Sequence, residues 1–348
     1  MSSQLKDSAG WAASFPGTVW KQVFHRVPKI PSHIDLSGKT VIVTGATGGI
    51  GLEAARQLLE VRASRLILTA RTQSKGETAA AELRSKFPKA DIRVWTLEME
   101  SYESVRQFAG RCETELDHLD VVILNAGMGR TSFIRTGDGR ESTLQVNYLS
   151  TALLAVLLLP ILRSKAIAAA SPGETPSPGR LTVVGSDMAH WVNMKEPAGG
   201  ILDAVDSSVG FQGMDQYAKT KLFLTMIVSK LAEVVSADDV IVNVVNPSGV
   251  RGTSLMRDAK GQYAIQAFVY INGLLLGRNL TDGTRQYLHS ALVLGKESHG
   301  SFGDWQIRPY PPFMYTDAGI RMTNKLWEET GYELRFAEVD AILEKMKH

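Results

Sequence analysis

A tyrosine and a lysine that could carry out proton transfer lie four residues apart in Tyr217-Ala-Lys-Thr-Lys221. On a helix this spacing places both side chains on one face, so the ammonium can approach the phenol and favour the phenolate. An unperturbed tyrosine has a pKa of about 10, and a proton-transfer group works best nearer the operating pH. The chain has 9 tyrosines, so chance can produce such a pair and its position in the fold must decide.

Two further polar residues occupy positions where they could assist such chemistry. Ser186 ends the predicted strand RLTVVGS, where its hydroxyl could donate to a substrate carbonyl, and Asn147 lies in the apolar helical stretch LQVNYLS. Each also has an ordinary explanation, a turn for the serine and a local backbone hydrogen bond for the asparagine. Cys112 is the only cysteine, so neither an intramolecular disulfide nor a cysteine-based metal site can form, and we predict no metal.

A glycine-rich turn and an Asn-Ala-Gly turn are candidates for cofactor binding. The stretch Thr44–Gly51 (TGATGGIG) follows a predicted strand and opens a helix, where backbone amides and the helix dipole can hold a pyrophosphate. Its glycines allow a tight turn and close approach, although their spacing differs from GxGxxG. We assign cofactor contacts to Gly45, Thr47, Gly48, Gly49, Ile50 and Gly51, and to Asn125, Ala126 and Gly127 after a later strand.

These residues are placed by an alternation of short apolar runs and helical stretches. Runs at 40–45, 65–70, 91–97, 119–125, 180–186 and 240–246 are followed by helical patterns at 52–60, 74–87, 102–116, 141–163 and 215–235. Strands that alternate with helices predict a parallel sheet covered on both faces. We therefore predict an α/β fold with a single, doubly wound, Rossmann-type sheet spanning about 39–246.

The remaining segments are assigned by composition. Residues 1–35 read as an N-terminal arm in which Trp11, Phe15, Trp20 and Phe24 are expected to pack, and 36–348 as one catalytic domain. Residues 164–180 read as a surface loop, and 187–216 and 250–280 as substrate-binding insertions.

Composition excludes several classes of protein. The net charge is +2, which gives no broad electrostatic reason to bind nucleic acid or an anionic membrane. The N-terminus lacks the pattern of a signal peptide, and the apolar run 151–162 is shorter than the ~20 residues of a membrane-spanning helix. We expect a cytoplasmic protein without a membrane span.

Taken in order, TGATGGIG, NAG, Asn147, Ser186 and the Tyr217/Lys221 pair resemble the short-chain dehydrogenase/reductase family over about residues 38–255. The overall sequence pattern of the chain and the stretch GDWQIRPYPPFMY are similar to those of retinol-dehydrogenase-like members and fungal biosynthetic reductases. The resemblance implies that Tyr217 is the general acid/base, that Lys221 lowers its pKa and binds the nicotinamide ribose, that Ser186 orients the carbonyl and that Asn147 holds a water. It also implies helix pairing in a homodimer through 141–163 and 215–235, although a monomer stays open.

Cofactor choice depends on the end of the second strand, where an enzyme that prefers NAD would carry an acidic residue. Here the residue is Arg71, whose guanidinium can grip a 2′-phosphate, with Thr72, Ser74 or Lys75 as helpers. We therefore predict that NADP(H) is preferred over NAD(H).

The chain departs from the family pattern at three places. Glu98 stands where an aspartate is usual for the adenine contact, and Ser186 is 31 positions from Tyr217, which requires an extra loop. Pro247-Ser248-Gly249 replaces the usual Pro-Gly, and we assign further cofactor contacts to Pro247, Val250 and Thr253, with Gly252 left open as the alternative to Thr253.

The sequence thus predicts an NADPH-dependent oxidoreductase acting on a carbonyl or secondary alcohol of an apolar small molecule, such as a secondary metabolite. Met188, Trp191, Phe211 and Met214 are candidate walls of the substrate pocket, although a core role explains each as well. A non-redox or redox-coupled isomerase, dehydratase or cyclase is the alternative, with the altered Pro-Ser-Gly turn as its support.

Overall fold

The computed structural model describes residues 1–171, 173, 175–251 and 277–347. A mostly parallel sheet lies between two layers of helices. Its strands are β1 (Thr40–Val43), β2 (Arg65–Ala70), β3 (Asp91–Thr96), β4 (Val121–Leu124), β5 (Gly179–Val184), β6 (Val240–Val245), β7 (Phe302–Gly303) and β8 (Ile307–Arg308). The strand order is β3-β2-β1-β4-β5-β6-β7-β8, in which only the β7–β8 pair is antiparallel.

Helices cover both faces of this sheet. In chain order they are α1 (Lys6–Ala13), α2 (Phe15–Phe24), α3 (Gly49–Glu60), α4 (Gln73–Lys86), α5 (Tyr102–Glu115), α6 (Ser142–Ala169), α7 (Ile201–Val205), α8 (Gly213–Val234), α9 (Leu280–Leu288), α10 (Asp317–Leu334) and α11 (Val339–Met346). Helices α5, α6 and α8 cover one face of the sheet, and α3, α4 and α9 cover the other. Short 3-10 helices follow β5 at Asp187–Trp191 and precede α10 at Pro312–Tyr315.

The predicted doubly wound sheet is confirmed, but it is wider than predicted. The strands predicted between 39 and 246 are all present. All six residues of β6 and five of the six residues of β5 are buried, as expected for central parallel strands. The expectation that the sheet ends near 246 is wrong: β7 pairs with β6 through Val244 and Phe302, and β8 follows it. Strands of two residues are too short to show any periodicity in the sequence.

Helix α6 is longer than its sequence pattern indicated. It continues to Ala169, so the first part of the predicted 164–180 loop is helical, and β5 already begins at Gly179. Among the described residues, α6 is the one helix that is long and apolar enough to cross a membrane, with a mean hydropathy of 1.9. Half of its apolar window is buried inside the protein, where it packs on α5, α11 and β5. A core helix of a large α/β domain passes the same test, so this is weak evidence for a span.

Two C-terminal helices cover the helix faces that the family resemblance associates with dimers. Helix α11 packs on α6, and α10 packs on α8. Leu326 of α10 and Leu343 of α11 belong to the same apolar core as Leu154 and Leu158 of α6. These faces are therefore already buried within one chain.

The N-terminal segment packs differently from our expectation. Trp11, Phe15, Trp20 and Phe24 are 51–68% exposed, so the predicted packing role for these aromatic side chains is wrong. The Trp20 and Phe24 rings contact each other, with centroids 4.4 Å apart. The segment is attached mainly by polar contacts; for example, the Phe302 amide donates to Ser2 Oγ at 2.9 Å. Attachment through polar contacts produces no periodic pattern of apolar residues, so the sequence does not reveal how this segment is attached.

Candidate functional site

The two turns assigned to cofactor binding meet where the strand order reverses, between β1 and β4. The Asn125 side-chain amide donates to the Thr44 carbonyl at 2.8 Å, and the Ala126 amide donates to Thr44 Oγ1 at 2.9 Å. Open α/β sheets bind ligands at the carboxyl ends of the strands beside such a switch point. The fold thus brings the glycine-rich turn and the Asn-Ala-Gly turn to the expected edge.

The glycine-rich turn has the shape that a pyrophosphate needs. Gly45 has φ +64°, a left-handed conformation that side chains disfavour, and a Cβ at Gly51 would lie 2.5 Å from Asn125 Nδ2. Gly48 is the N-cap of α3, and no side chain among the described residues caps this helix end. The backbone amides of the first turn are therefore available to an anion, which fits a dinucleotide.

Ser186, Tyr217 and Lys221 come together at the end of β5. Tyr217 and Lys221 lie on the buried face of α8, 6% and 3% exposed, and the Tyr217 hydroxyl interacts with Ser186. Lys221 Nζ donates to the Val184 carbonyl at 2.7 Å and lies 5.7 Å from the centre of the Tyr217 ring. A Cβ on Gly127 would lie 3.4 Å from Lys221 Nζ, so the candidate catalytic residues lie next to the candidate cofactor-binding turn.

Burial, rather than the lysine, dominates the protonation of Tyr217. Burial raises the pKa of Tyr217 to about 12, opposed only by the interaction with Ser186, and burial lowers the pKa of Lys221 to about 8. The implied lowering of the tyrosine pKa by Lys221 is therefore not seen in the protein alone. At neutral pH Tyr217 therefore carries its proton.

Asn147 lies in a π-helical turn, Gln145–Leu149, inside α6. Its side chain exchanges two hydrogen bonds of 2.8 Å with the backbone of Met128, just after the Asn-Ala-Gly turn, and donates to Thr220 Oγ1 at 3.1 Å. Insertions of this kind are frequent at functional sites because they redirect side chains. Asn147 thus joins α6, α8 and the β4 turn.

Sequence patterns did not reveal several residues that hold these elements. Glu141 is fully buried, caps the start of α6 through the amides of Thr143 and Leu144, and accepts a hydrogen bond from Gln216, beside Tyr217. Tyr287 of α9 is also buried and donates to Asn125 Oδ1 at 3.1 Å. A glutamate before a helical run was a weak signal for a cap. Nothing in the sequence indicated the contact of Tyr287.

The residues assigned to the adenosine half of the nicotinamide cofactor lie at the ends of β2 and β3. Arg71 follows β2, is exposed, and has no ion-pair partner among the described residues. Glu98 follows β3 and is half-buried, and its carboxylate accepts from the Glu100 amide at 3.1 Å. The free guanidinium fits a phosphate group at this edge.

The turn after β6 contains Ser248, the residue that departs from the family's usual Pro-Gly pattern. Ser248 has φ +60°, and its amide donates to Asn246 Oδ1 at 2.9 Å. Pro247 accepts a hydrogen bond of 2.6 Å from Gln286, and Val250 packs so closely on α9 that a Cβ at Gly283 would lie 2.4 Å from it. Thr253 and most of the predicted 250–280 insertion lie outside the described residues.

The four predicted pocket residues are distributed over the segment 187–216. Met188 packs against the core in the 3-10 helix after Ser186, and Trp191 donates to the Ala13 carbonyl at 2.9 Å. Phe211 packs edge-on against Phe133, with centroids 5.7 Å apart, and Met214 is 40% exposed. No group of three or more His, Cys, Asp or Glu side chains that could hold a metal ion occurs in the described part of the chain.

A dinucleotide-type glycine turn beside a half-buried serine and a buried tyrosine and lysine defines an NAD(P)-dependent oxidoreductase. The family model for short chain dehydrogenase matches residues 39–171. The chain is 43% identical over 339 residues to the short chain dehydrogenase/reductase mfmJ of Annulohypoxylon moriforme, covering 96% of this chain and 95% of that one. It is 43% identical to the short chain dehydrogenase virL of Hypocrea virens, covering 100% and 99%. The chain belongs to the short-chain dehydrogenase/reductase family.

A solved structure supports the fold at lower identity. The NADPH-bound short chain oxidoreductase of Pseudomonas aeruginosa PAO1, which contains an atypical catalytic center, is 23% identical, with a TM-score of 0.57. The match covers 78% of this chain and 96% of that one.

Proposed function

We propose that this enzyme reduces a carbonyl group of an apolar small molecule with NADPH, or oxidises the corresponding secondary alcohol. The observation that carries the proposal is the convergence of Ser186, Tyr217 and Lys221 beside Gly127 and Asn147. A non-redox reaction would not need this full set, whose hydroxyl and ammonium groups suit proton delivery to a forming alkoxide.

Each residue of the site has a distinct task in this proposal. The Ser186 hydroxyl donates to the substrate carbonyl and orients it, and the protonated Tyr217 hydroxyl delivers a proton to the same oxygen. The Lys221 ammonium stabilises the tyrosinate that results, and Asn147 fixes the turn after β4 through the Met128 backbone. The nicotinamide, when bound, supplies the hydride, while the protein supplies orientation and a tuned proton donor.

The cofactor sites are proposed on the same geometry. The first turn of α3 holds the pyrophosphate, with Gly45, Gly49 and Gly51 allowing the approach, and Glu98 lies at the adenine side. Arg71 holds the 2′-phosphate and sets the preference for NADP(H) over NAD(H). Pro247 and Val250 border the nicotinamide.

The substrate is proposed to be apolar, such as a secondary-metabolite intermediate. Met188, Trp191, Phe211 and Met214 are its candidate contacts, and they belong to the loop between Ser186 and Tyr217. We further propose that residues 36–348 act as one catalytic domain in the cytoplasm, with residues 1–35 packed on it.

The test is NADPH oxidation at 340 nm against a panel of hydrophobic ketones and aldehydes, with Tyr217→Phe as the control. Turnover that depends on the carbonyl and is lost in Tyr217→Phe supports the reductase. Tight NADPH binding without turnover of any panel member would favour the isomerase, dehydratase or cyclase alternative. Failure to bind NADPH or NADH would contradict the proposal.

A further inference from the structure

The N-terminal segment reaches the residue that follows Ser186. Lys21 of α2 forms an ion pair with Asp187, with Nζ and Oδ1 2.8 Å apart, and the two side chains are only 15% and 17% exposed. Asp187 begins the 3-10 helix Asp187–Trp191, whose first turn folds back on Ser186. There the Met188 amide donates to Ser186 Oγ at 3.2 Å. A charge from residues 1–35 therefore lies directly beside the candidate catalytic serine.

The same carboxylate also holds the turn after β6. Asp187 Oδ1 accepts a hydrogen bond from the Asn246 side chain, and Asn246 in turn accepts from the Ser248 amide at 2.9 Å. Asp187 thus connects the serine loop with the turn that leads to Val250. Because one carboxylate oxygen accepts from both Lys21 and Asn246, the position of Lys21 affects both turns.

Lys21 is itself held in place by contacts on either side of it. The guanidinium of Arg278 donates to the Lys21 carbonyl and to the His25 carbonyl, each at 2.7 Å. Trp191, at the end of the 3-10 helix, donates to the Ala13 carbonyl at 2.9 Å. The lysine therefore approaches Asp187 from a fixed backbone, unlike the flexible partner of a surface ion pair.

We propose that Lys21 is a positioning residue of the active site, which acts through Asp187 to hold the Ser186 hydroxyl in its orientation. The role in catalysis rests on the proposed function, whereas the fixing of the 186–191 loop does not. Residues 1–35 then complete the site.

The charge of Lys21 also has a direct electrostatic role. The pKa of Asp187 is lowered although burial, the largest influence, acts to raise it, because Lys21, His190 and the Asn246 hydrogen bond outweigh burial. With Lys21 removed, any negative charge that stays on Asp187 would lie unneutralised beside the site where negative charge develops on the substrate oxygen. Like charges at short range in a partly desolvated site are repulsive.

The test compares Lys21→Met, Lys21→Arg and a matched control, Lys39→Met. Lys39 forms an ion pair of the same length, 2.8 Å, with Asp120 at the opposite end of the sheet. Hydrogen exchange of the free protein reports the 186–191 loop, and steady-state kinetics report kcat, KM for the carbonyl and Kd for NADPH. Lys21→Met is expected to speed exchange at residues 188 and 189 and to lower kcat on the order of tenfold, with little change in the Kd for NADPH. Lys21→Arg should retain most of the activity.

A double variant separates charge from structure. If the loss in Lys21→Met comes from an unpaired carboxylate, the same substitution in an Asp187→Asn background should cause little further loss of kcat. Unchanged exchange at 186–191, or equal losses of kcat in Lys21→Met and Lys39→Met, would overturn the inference. If Lys21→Met exchanged faster but no form of the enzyme turned over a carbonyl, the role of Lys21 in positioning the loop would be supported and the proposed function would be rejected.

Discussion

The carboxylate of Glu141 and the side-chain amide of Gln216 form a hydrogen bond of 2.6 Å between two buried side chains. Glu141 opens the helix that carries Asn147, and Gln216 precedes Tyr217 on α8. The bond therefore fixes the distance between the two helices that carry the candidate catalytic residues Asn147, Tyr217 and Lys221. Thr220 adds a second connection, since its hydroxyl accepts from Asn147 at 3.1 Å.

Replacing Glu141 with alanine should lower the free energy of unfolding strongly. The amides of Thr143 and Leu144 would lose their acceptor in the interior, and Gln216 would keep only its longer bond to the Val205 carbonyl, which costs about 4 kcal/mol together. Gln216→Met removes one of the three bonds to Glu141, together with the longer bond to Val205, and should cost about 1 kcal/mol. Urea unfolding of the two variants measures both values. Equal losses would contradict the capping role assigned to Glu141.

Much of the fold could be predicted from sequence because parallel strands and amphipathic helices leave periodic patterns. The bounds of β2 agree with the prediction to the residue. The predicted set TGATGGIG, NAG, Asn147, Ser186, Tyr217 and Lys221 lies around one switch point. Local spacing and chain order are enough to place such residues, because each follows a strand or lies on one helix face.

Contacts between distant segments could not be predicted in the same way. The Lys21–Asp187 ion pair joins residues 166 positions apart, and Tyr287 reaches Asn125 across 162 positions. A single lysine or tyrosine on a helix carries no signal of its partner. The protonation of Tyr217 was also missed, because the extent of burial that raises its pKa depends on the packed site and not on the spacing of Lys221.

Ser248 should be replaceable by glycine with a gain in stability. Its φ of +60° is unfavourable for a side chain, and its buried Oγ has no hydrogen-bond partner among the described residues. Ser248→Gly should raise the free energy of unfolding by about 1 kcal/mol, and Ser248→Val should lower it. Ser248→Ala keeps the backbone conformation and removes only the hydroxyl, so it separates the two causes. Loss of stability in Ser248→Gly would show that this turn needs the serine.

The rate of carbonyl reduction should fall above about pH 8. The pKa of Lys221 is lowered to about 8 by burial, so above this pH the amine is neutral and no longer stabilises the tyrosinate that forms. Tyr217, with a pKa raised to about 12, keeps its proton throughout. The kcat of reduction measured from pH 6 to 10 should decline with the loss of one proton. Lys219→Met, which removes a surface lysine paired with Asp215, should keep this transition. A transition that persists in Lys221→Met would assign it to another group.

The protein should have the mass of one chain in solution. The faces of α6 and α8 that the family resemblance associates with dimers are covered by α11 and α10, whose Leu343 and Leu326 are buried. A second copy could pair through these faces only if the C-terminal helices moved away, which would expose their apolar contacts to water. Light scattering after size exclusion measures the mass. A mass of two chains would contradict this prediction. If that mass persisted after replacement of Leu157, the partly buried leucine of α6, by arginine, the contact between the two chains would lie away from α6.

Arg71 should decide between the two nicotinamide cofactors. It stands exposed at the end of β2 without an ion-pair partner in the described residues, where a guanidinium can form two charge-assisted hydrogen bonds with a 2′-phosphate. Arg71→Ala should raise the Kd for NADPH on the order of tenfold or more and leave the Kd for NADH nearly unchanged. Arg106→Ala, which removes a half-exposed arginine from α5 on the other face of the sheet, controls for the loss of one positive charge. Titration of the nicotinamide fluorescence measures both Kd values. If the ratio of the Kd for NADPH to the Kd for NADH were unchanged in Arg71→Ala, this residue would be rejected as the source of the preference.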